Sequence, residues 1–462
     1  MENKYMVYGY NSPTDGKFYI NDFEYSYGED FRSVKRYKEH MNAGFNVLLL
    51  QHKNEYHGED WETCSAKKCF EEAYKAGFDK IIVGDTRLKD MCIDENLLGE
   101  NGTYKTEAEF LKAVEDCTKP YRDMPGFYGI QLYDEPRWFK LKSYALVVKA
   151  LKKLYPNIYL QCNLLPYCGI DLIASETTDD YSGYKKYLDD WLTLTGLGNL
   201  TFDEYFFRKD YLQGSEGGSF MTYMLAAEAC KKHNAVMGAT LQSFACLSHA
   251  GLHHRHVTEP DMYFQCNMAM GFGAREIAFF TYMTKIKFTL HKESKGANDS
   301  LNGGAWINYD GSRSKLYNFG KKVLAEMQRF APIILQYKYN NYWMSFPKGV
   351  KHTDIIDTRR IVEPHYIDES CDIKVKNTTG VVMVTEQIKV DGSKGRMFMV
   401  ENVTNLKEQV VDKKVQRVTI DLGKLADGAK FYFRGKEVQK NVKNGVLNLI
   451  LKNGDALFIE TK

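Results

Sequence analysis

At 462 residues, with 44% hydrophobic and 26% charged residues, the chain is too long for one small domain and suits a large domain joined to a smaller one. A net charge of +2 without any Lys/Arg-rich run lacks the electrostatic footprint of a nucleic-acid binder. No stretch approaches the roughly 20 apolar residues of a membrane span, so neither nucleic acid nor membrane is expected as a partner.

The N-terminal MENKYMVYGYN carries no apolar leader segment, which predicts a cytoplasmic protein, or a secreted one whose leader has been removed. Ten Cys are scattered without CxxC pairs and read as reduced core residues. The aromatic content of 14%, with 32 Tyr, suits a cleft for flat hydroxylated ligands as well as plain ring packing.

From the N-terminus to about residue 335 one rhythm repeats: a short apolar run, a polar loop, then a segment of helical period. The apolar runs are YMVYGY (5–10), FNVLLLQ (45–51), DKIIVGD (79–85), FYGIQLYDE (127–135), NIYLQCN (157–163), NLTFDEY (199–205), AVMGATLQ (235–242) and EIAFFTY (276–282). Between them, FRSVKRYKEHMNAG, CSAKKCFEEAYKAG, TEAEFLKAVEDCTKPY, YALVVKALKKLYP and FMTYMLAAEACKKHN read as helices, several closed by a terminal Gly. Strands apolar on both faces and alternating with helices imply a parallel sheet, and eight such units predict an α/β fold of the (β/α)8 TIM-barrel type over residues 1–336. A doubly wound open sheet is the competing fold, weakened because no glycine-rich phosphate loop follows any strand.

The segment 313–336 is expected as the last barrel helix. The rhythm then changes to short alternating runs such as GVVMVTEQIKV, RMFMVENVT, QRVTIDL and VLNLILKNGDALFIE, separated by DGSKG and KNG turns. These predict a small antiparallel β-sandwich over 340–462.

A (β/α)8 barrel works at the C-terminal ends of its strands. Those ends carry Tyr10 and Asn11, Gln51 and His52, Asp85, Asp134 with Glu135, Asn163, Asp203 with Glu204 and Tyr205, Gln242, and Tyr282. Hydrolysis of a glycosidic bond needs one carboxylic acid to protonate the leaving oxygen and a second group to attack or to activate water. Glu135, on a strand end stiffened by Pro136, is the candidate acid. The competing reading is a buried salt bridge. Asp134 is expected to support it by binding hydroxyls, and Trp138 either stacks on a sugar ring or packs on the rim.

The strand end "YDEP", with "FQCNMAMGFGAREIAFFTY" leading into the eighth unit, resembles the clan A glycoside hydrolases, the β-galactosidase-like and cellulase-like barrels. The closing "NGDALFIE" is similar to the β domain appended to many of them. The resemblance implies that Glu135 is the acid/base and that the nucleophile is a glutamate ending the seventh strand. Two positions depart from it. Asp134 stands where the clan has Asn. Gln242 stands where the nucleophile belongs, and an amide cannot form a glycosyl ester. Gln242 is an engineered Glu-to-Gln change, or catalysis has been lost and sugar binding kept, or the second carboxylate comes from "TFDEY" on the sixth strand. The third reading is preferred. It makes Asp203 the base or nucleophile, Tyr205 its orienting partner and Gln242 a hydroxyl binder, against a salt bridge from Asp203 to Arg208 or Lys209.

"LSHAGLHHRHVTEPD" places His249, His253, His254 and His256 near the barrel mouth. Their spacing matches no zinc motif, so hydrogen bonding to sugar is expected of His249 and no metal of the loop. Thr258 is expected to cap the next helix. Trp306 lines the cleft or packs on the rim. A Schiff-base enzyme would need an inward Lys at a strand end, and none of the eight runs offers one. The expected site therefore holds Glu135 and Asp203 as the catalytic pair, with Asp85, Asp134, Trp138, Asn163, Tyr205, Gln242, His249, Tyr282 and Trp306 around a β-linked oligosaccharide or glycoside, and with no cofactor.

Overall fold

The computed structural model describes residues 3–20, 23–26, 28–167, 181–207, 215–249, 252–284, 304–308, 310–349, 370–403 and 415–462. Among the described residues eight parallel strands carry the N-terminal part, with an antiparallel hairpin of Lys17–Ile20 and Phe23–Ser26 between the first two. The eight are β1 (Met6–Gly9), β2 (Leu48–Leu50), β3 (Ile81–Gly84), β4 (Phe127–Gln131), β5 (Tyr159–Gln161, continued by Asn163–Leu164), β6 (Asn199–Glu204), β7 (Val236–Gln242) and β8 (Ala274–Phe280). One sheet runs β2-β3-β4-β5, and the other runs from Asn163–Leu164 through β6, β7 and β8 to β1. The sheets abut at Cys162, between the two parts of β5, and beside β1, where the Asn46 and Val47 amides donate to Val7 O at 3.0 and 3.1 Å.

Period-two alternation sorts each strand into two faces. Met6, Tyr8, Tyr10, Val47, Leu49, Ile82 and Ala278 form one apolar layer between the sheets. Val7, Leu48, Leu50, Ile81, Val83, Phe202, Leu241 and Ile277 face the helices. A carboxyl lies in the inner layer too: Glu276 accepts from Tyr159 OH at 2.6 Å and Thr201 Oγ1 at 3.3 Å.

The helices are α1 (Val34–Asn42), α2 (Ser65–Ala76), α3 (Thr86–Ile93), α4 (Glu107–Thr118), α5 (Leu141–Leu154), α6 (Tyr181–Thr195), α7 (Ser215–His233), α8 (Glu259–Gly271) and α9 (Lys315–Ile334). Local chemistry sets their ends. Thr106 and Glu109 close a capping box on α4, and α2 stops where Gly77 takes φ 116°, a conformation that a side chain would strain. Thr258 precedes α8, its amide and hydroxyl both donating to Asp261 Oδ2 at 2.8 and 2.7 Å.

Two departures from the expected elements bear on the site. The fourth strand stops at Gln131 instead of running to Glu135, and Glu135 itself adopts φ 47°, a left-handed conformation that has no place in a pleat. The His-rich segment after β7, expected as a loop, contains an antiparallel hairpin of Cys246–His249 and Leu252–His254. Among the described residues no helix is long and apolar enough to cross a membrane, and the eight cysteines whose side chains are described are buried and unpaired.

The C-terminal strands are β9 (Tyr337–Ser345), β10 (Lys374–Thr378), β11 (Val382–Lys389), β12 (Arg396–Asn402), β13 (Gln416–Asp421), β14 (Lys430–Phe433), β15 (Lys436–Val438), β16 (Val442–Lys443), β17 (Val446–Leu451) and β18 (Ala456–Thr461). They make two antiparallel sheets, β9-β11-β12-β18-β14-β15 and β10-β13-β17-β16, which share a core of Val384, Phe398, Val400 and Ile459 against Val418, Ile420, Leu447 and Leu449. The first sheet is buried on its second face as well, where Met383, Met397 and Met399 join the core of the N-terminal part. Gly271 permits that approach: a Cβ there would fall 2.2 Å from Met399 Cε. Each methionine buried so contributes about 1.5–3 kcal/mol, and Gln387 Nε2 fixes the register by donating to Met270 O and Gly271 O at 2.6 and 2.9 Å.

Candidate active site

The C-terminal ends of β4, β5 and β6 bring together the carboxyls of Glu135, Asp134 and Asp203. Asp203 lies opposite Thr240 of β7 and is 4% exposed. Alternation turns the neighbouring Glu204 the other way, where its Oε2 accepts from Thr222 Oγ1 at 2.8 Å. Glu135 sits past the end of β4 on its left-handed turn, its amide held by Asn163 O at 2.8 Å. Asn163 is itself fixed, since its Oδ1 accepts from Thr240 Oγ1 at 2.9 Å.

The Glu135 and Asp203 carboxyls lie close enough to act on each other's ionisation, with Tyr205 beside Asp203, and Asp203 Oδ1 is buried without a hydrogen-bond partner. Glu135 reaches solvent at the rim, but protein crowds its carboxyl. That crowding first, and then the Asp134 charge, push its pKa up from 4.5 to about 7, against the lowering effect of the neighbouring Asp203 carboxyl. Burial and then the Glu135 and Asp134 charges hold Asp203 well above the usual carboxylate range. Two carboxyls so placed cannot both ionise near neutral pH, and the pair keeps a proton.

Around the pair, Tyr10 OH accepts from Gln161 Nε2 at 2.9 Å and lies within the fields of Asp134 and Asp203. Tyr205 packs among Phe244, His254 and Phe280, with ring centroids 5.1–5.9 Å away. Phe280 takes the inward place expected of Tyr282.

The same rim carries Asn11 and Gln51, which strand-end position marks in the sequence but which the expected site leaves out. Both amide atoms of Asn11 and the Oε1 of Gln51 are buried without hydrogen-bond partners, a condition that costs about 1–3 kcal/mol per atom. Asn11 (φ 55°), His52 (φ 56°) and Glu135 (φ 47°) follow the ends of β1, β2 and β4 in strained backbone of the kind that clusters at functional sites. An Asn two residues past a strand is a weak sequence signal for αL geometry, and Gln51 was legible only as one polar strand end among several. Lys89 of α3 escaped the strand-by-strand search. Its buried ammonium donates to Glu55 Oε1 and Gln131 Oε1 at 2.6 and 2.9 Å, so it serves as an ion-pair partner.

Several expected site residues are engaged elsewhere. The Asp85 carboxylate is 0% exposed. It is used up by the Arg87 amide and guanidinium at 2.6–3.1 Å and by Tyr121 OH at 2.9 Å. Trp138 packs on the rim, its Nε1 donating to Asp190 Oδ2 of α6 at 2.6 Å with Lys186 over the ring. Tyr282 is in the core, stacked on His40 at 3.7 Å, because β8 ends two residues earlier. Trp306 is fully buried between Phe45 and Phe279.

Gln242 is also 0% exposed and does not offer its amide to a ligand. Its Oε1 accepts from Phe207 N at 2.9 Å, while Nε2 faces Phe244 O and Arg255 O at 3.1 Å and Phe207 O at 3.3 Å. A carboxylate there would meet three carbonyl oxygens, so the position suits an amide and not an altered nucleophile. The His249 side chain and the suggested partners Arg208 and Lys209 lie outside the described residues. Among the described residues no group of three His, Cys, Asp or Glu is arranged to hold a metal ion.

No protein-family model matches the sequence, and no curated protein does. Solved structures do resemble the fold. The β-galactosidase of Bacillus circulans sp. alkalophilus superposes with a TM-score of 0.57 at 8% identity, covering 100% of this chain and 99% of that one. The α-amylase of Anoxybacillus gives 0.51 at 12% identity over 99% and 98% of the two chains. The α-amylase of Geobacillus thermoleovorans, complexed with acarbose, gives 0.51 at 10% identity over 100% and 98%. The chain shares the fold of these structures, an α/β barrel-type part followed by β sheets.

Proposed function

We propose that the protein is a glycosidase that cleaves β-linked oligosaccharides or glycosides with Glu135 and Asp203, in a closed (β/α)8 barrel over residues 1–336 followed by a β-sandwich over 340–462. The observation that carries this reading is the clustering of Glu135, Asp134 and Asp203 at the strand ends, where burial and their mutual charges raise Glu135 and Asp203.

In this reading Glu135, raised to about 7, holds the proton that the leaving oxygen needs near neutral pH. Asp203, oriented by Tyr205, is the nucleophile or the base. The separation of the pair in the sugar complex sets the stereochemical outcome, retention at ~5–5.5 Å and inversion at ~6.5–9.5 Å. Glu135 is the member free to adjust, because it stands exposed on a turn while Asp203 is fixed in the ladder of β6. Asn11, Gln51 and Asn163 supply amides for sugar hydroxyls, and Tyr205 and Phe280 supply apolar faces.

The test is a panel of aryl β-glycosides and oligosaccharides run against the protein and its Glu135→Gln variant, with product anomers read by NMR. Turnover that is lost in Glu135→Gln supports the proposal. Sugar binding without turnover on the whole panel replaces it with a carbohydrate-binding barrel.

A further inference from the structure

A separate cavity of about 1080 Å3 opens between the segment after β7, the start of α9 and the turns that follow β14 and β17. Its charged lining is one-sided: Arg313, Lys315, Lys322, Arg434 and Lys452 stand against Glu259 alone. Three of these cations have acidic neighbours, Arg313 with Glu39 at 2.5 Å, Lys322 with Glu259 at 2.7 Å and Arg434 with Asp455 at 3.0 Å. Among the described residues Lys315 and Lys452 have no such partner, and both are exposed.

A concave surface of one sign concentrates the potential and draws in ions of the opposite sign. Lys315 is also the first residue of α9, where the helix dipole adds to its charge. The volume matches the upper end of ligand pockets, ~300–1,000 Å3, and far exceeds what a single inorganic anion fills. Tyr263 in the wall is buried beneath the Arg434 guanidinium, 4.2 Å above its centroid, so the cavity recognises its ligand by charge: a molecule larger than a single anion that carries acidic groups.

We infer that this cavity is a second carbohydrate site, which binds a carboxylated or sulfated stretch of oligosaccharide through Lys315 and Lys452. The inference rests on the proposed glycosidase reading for the sugar and on the charge of the cavity for its acidity.

The test is calorimetric binding of an oligogalacturonate, a chondroitin sulfate tetrasaccharide, a neutral cello-oligosaccharide and inorganic sulfate to the whole chain. Each is repeated on Lys315→Gln/Lys452→Gln and on Lys315→Arg/Lys452→Arg. An acidic oligosaccharide should bind, weaken about tenfold or more in the Gln double variant, keep its affinity in the Arg variant and weaken with added salt. Hydrolysis of a neutral aryl glycoside should be unchanged in both variants. Equal binding of neutral and acidic sugars, undiminished binding in the Gln variant, or sulfate binding as tightly as the oligosaccharide would each overturn the inference. Acidic sugar bound without turnover of any glycoside would instead overturn the glycosidase reading and leave this site standing.

Discussion

Glu135 and Asp203 lie within each other's electrostatic reach, although one leaves a left-handed turn after β4 and the other sits in the pleat of β6. Glu135 and Asp134 both raise Asp203, while Asp134 raises Glu135 and Asp203 lowers it. The consequences are measurable.

Because Glu135 must be protonated to act as an acid, kcat/KM should fall as pH rises through about 7. Asp134→Asn removes a negative charge that favours the protonated form, so this alkaline limb should move to lower pH. A limb that stays in place would show that Asp134 does not sense the acid. The pH–rate profiles of the two proteins decide it.

Removing the acid by Glu135→Gln should lower kcat on a substrate with a poor leaving group by about 10²–10⁴-fold. On a dinitrophenyl glycoside, whose leaving group needs no proton, the loss should be much smaller. Asp203→Asn should impair both substrates. The double variant should be little worse than the worse single one, since groups acting as a unit are non-additive. Full activity in Asp203→Asn would remove that residue from the mechanism.

Restoring a glutamate at the seventh strand by Gln242→Glu should gain no activity. It should destabilise the fold by about 2–4 kcal/mol, because an acceptor replaces a donor among Phe207 O, Phe244 O and Arg255 O. Thermal denaturation measures the loss, and a rise in turnover would reinstate the seventh-strand nucleophile.

Glu401 of β12 is fully buried, and both its oxygens lack hydrogen-bond partners. Burial holds its pKa well above the ordinary 4.5. A carboxyl raised in the fold contributes stability at low pH and loses it progressively as pH climbs from its unfolded value through its folded one. Glu401→Gln should therefore be more stable than the parent at neutral and alkaline pH, with the difference vanishing below about pH 4. Denaturant unfolding across that range would refute the expectation if the two curves stayed parallel.

Asn11→Ala and Gln51→Ala test the rim. Each removes a buried polar group without a protein partner, so stability should hold or rise slightly. KM for the cleaved glycoside should rise about tenfold, the worth of one hydrogen bond to a hydroxyl. Unchanged KM in both variants would leave these amides without a role in binding.

What the sequence determined by itself was whatever is written in short-range pattern. Runs apolar on both faces, such as LLL at Leu48–Leu50, marked parallel strands, and alternation in β11 and β12 marked a sheet with two distinct faces. Alternation likewise sent Asp203 inward and Glu204 outward. Only the tertiary structure decided which polar strand ends are available to a ligand, because that depends on partners distant in sequence. Tyr121 and Arg87 claim Asp85, Asp190 of α6 claims Trp138, and three carbonyls from two loops claim Gln242. His40 draws Tyr282 into the core, and Phe45 and Phe279 enclose Trp306. The backbone reversal at Glu135 was hidden for the same reason. A positive φ in a non-glycine residue is held by its surroundings, here the bond from its amide to Asn163 O, and local sequence carries no record of it.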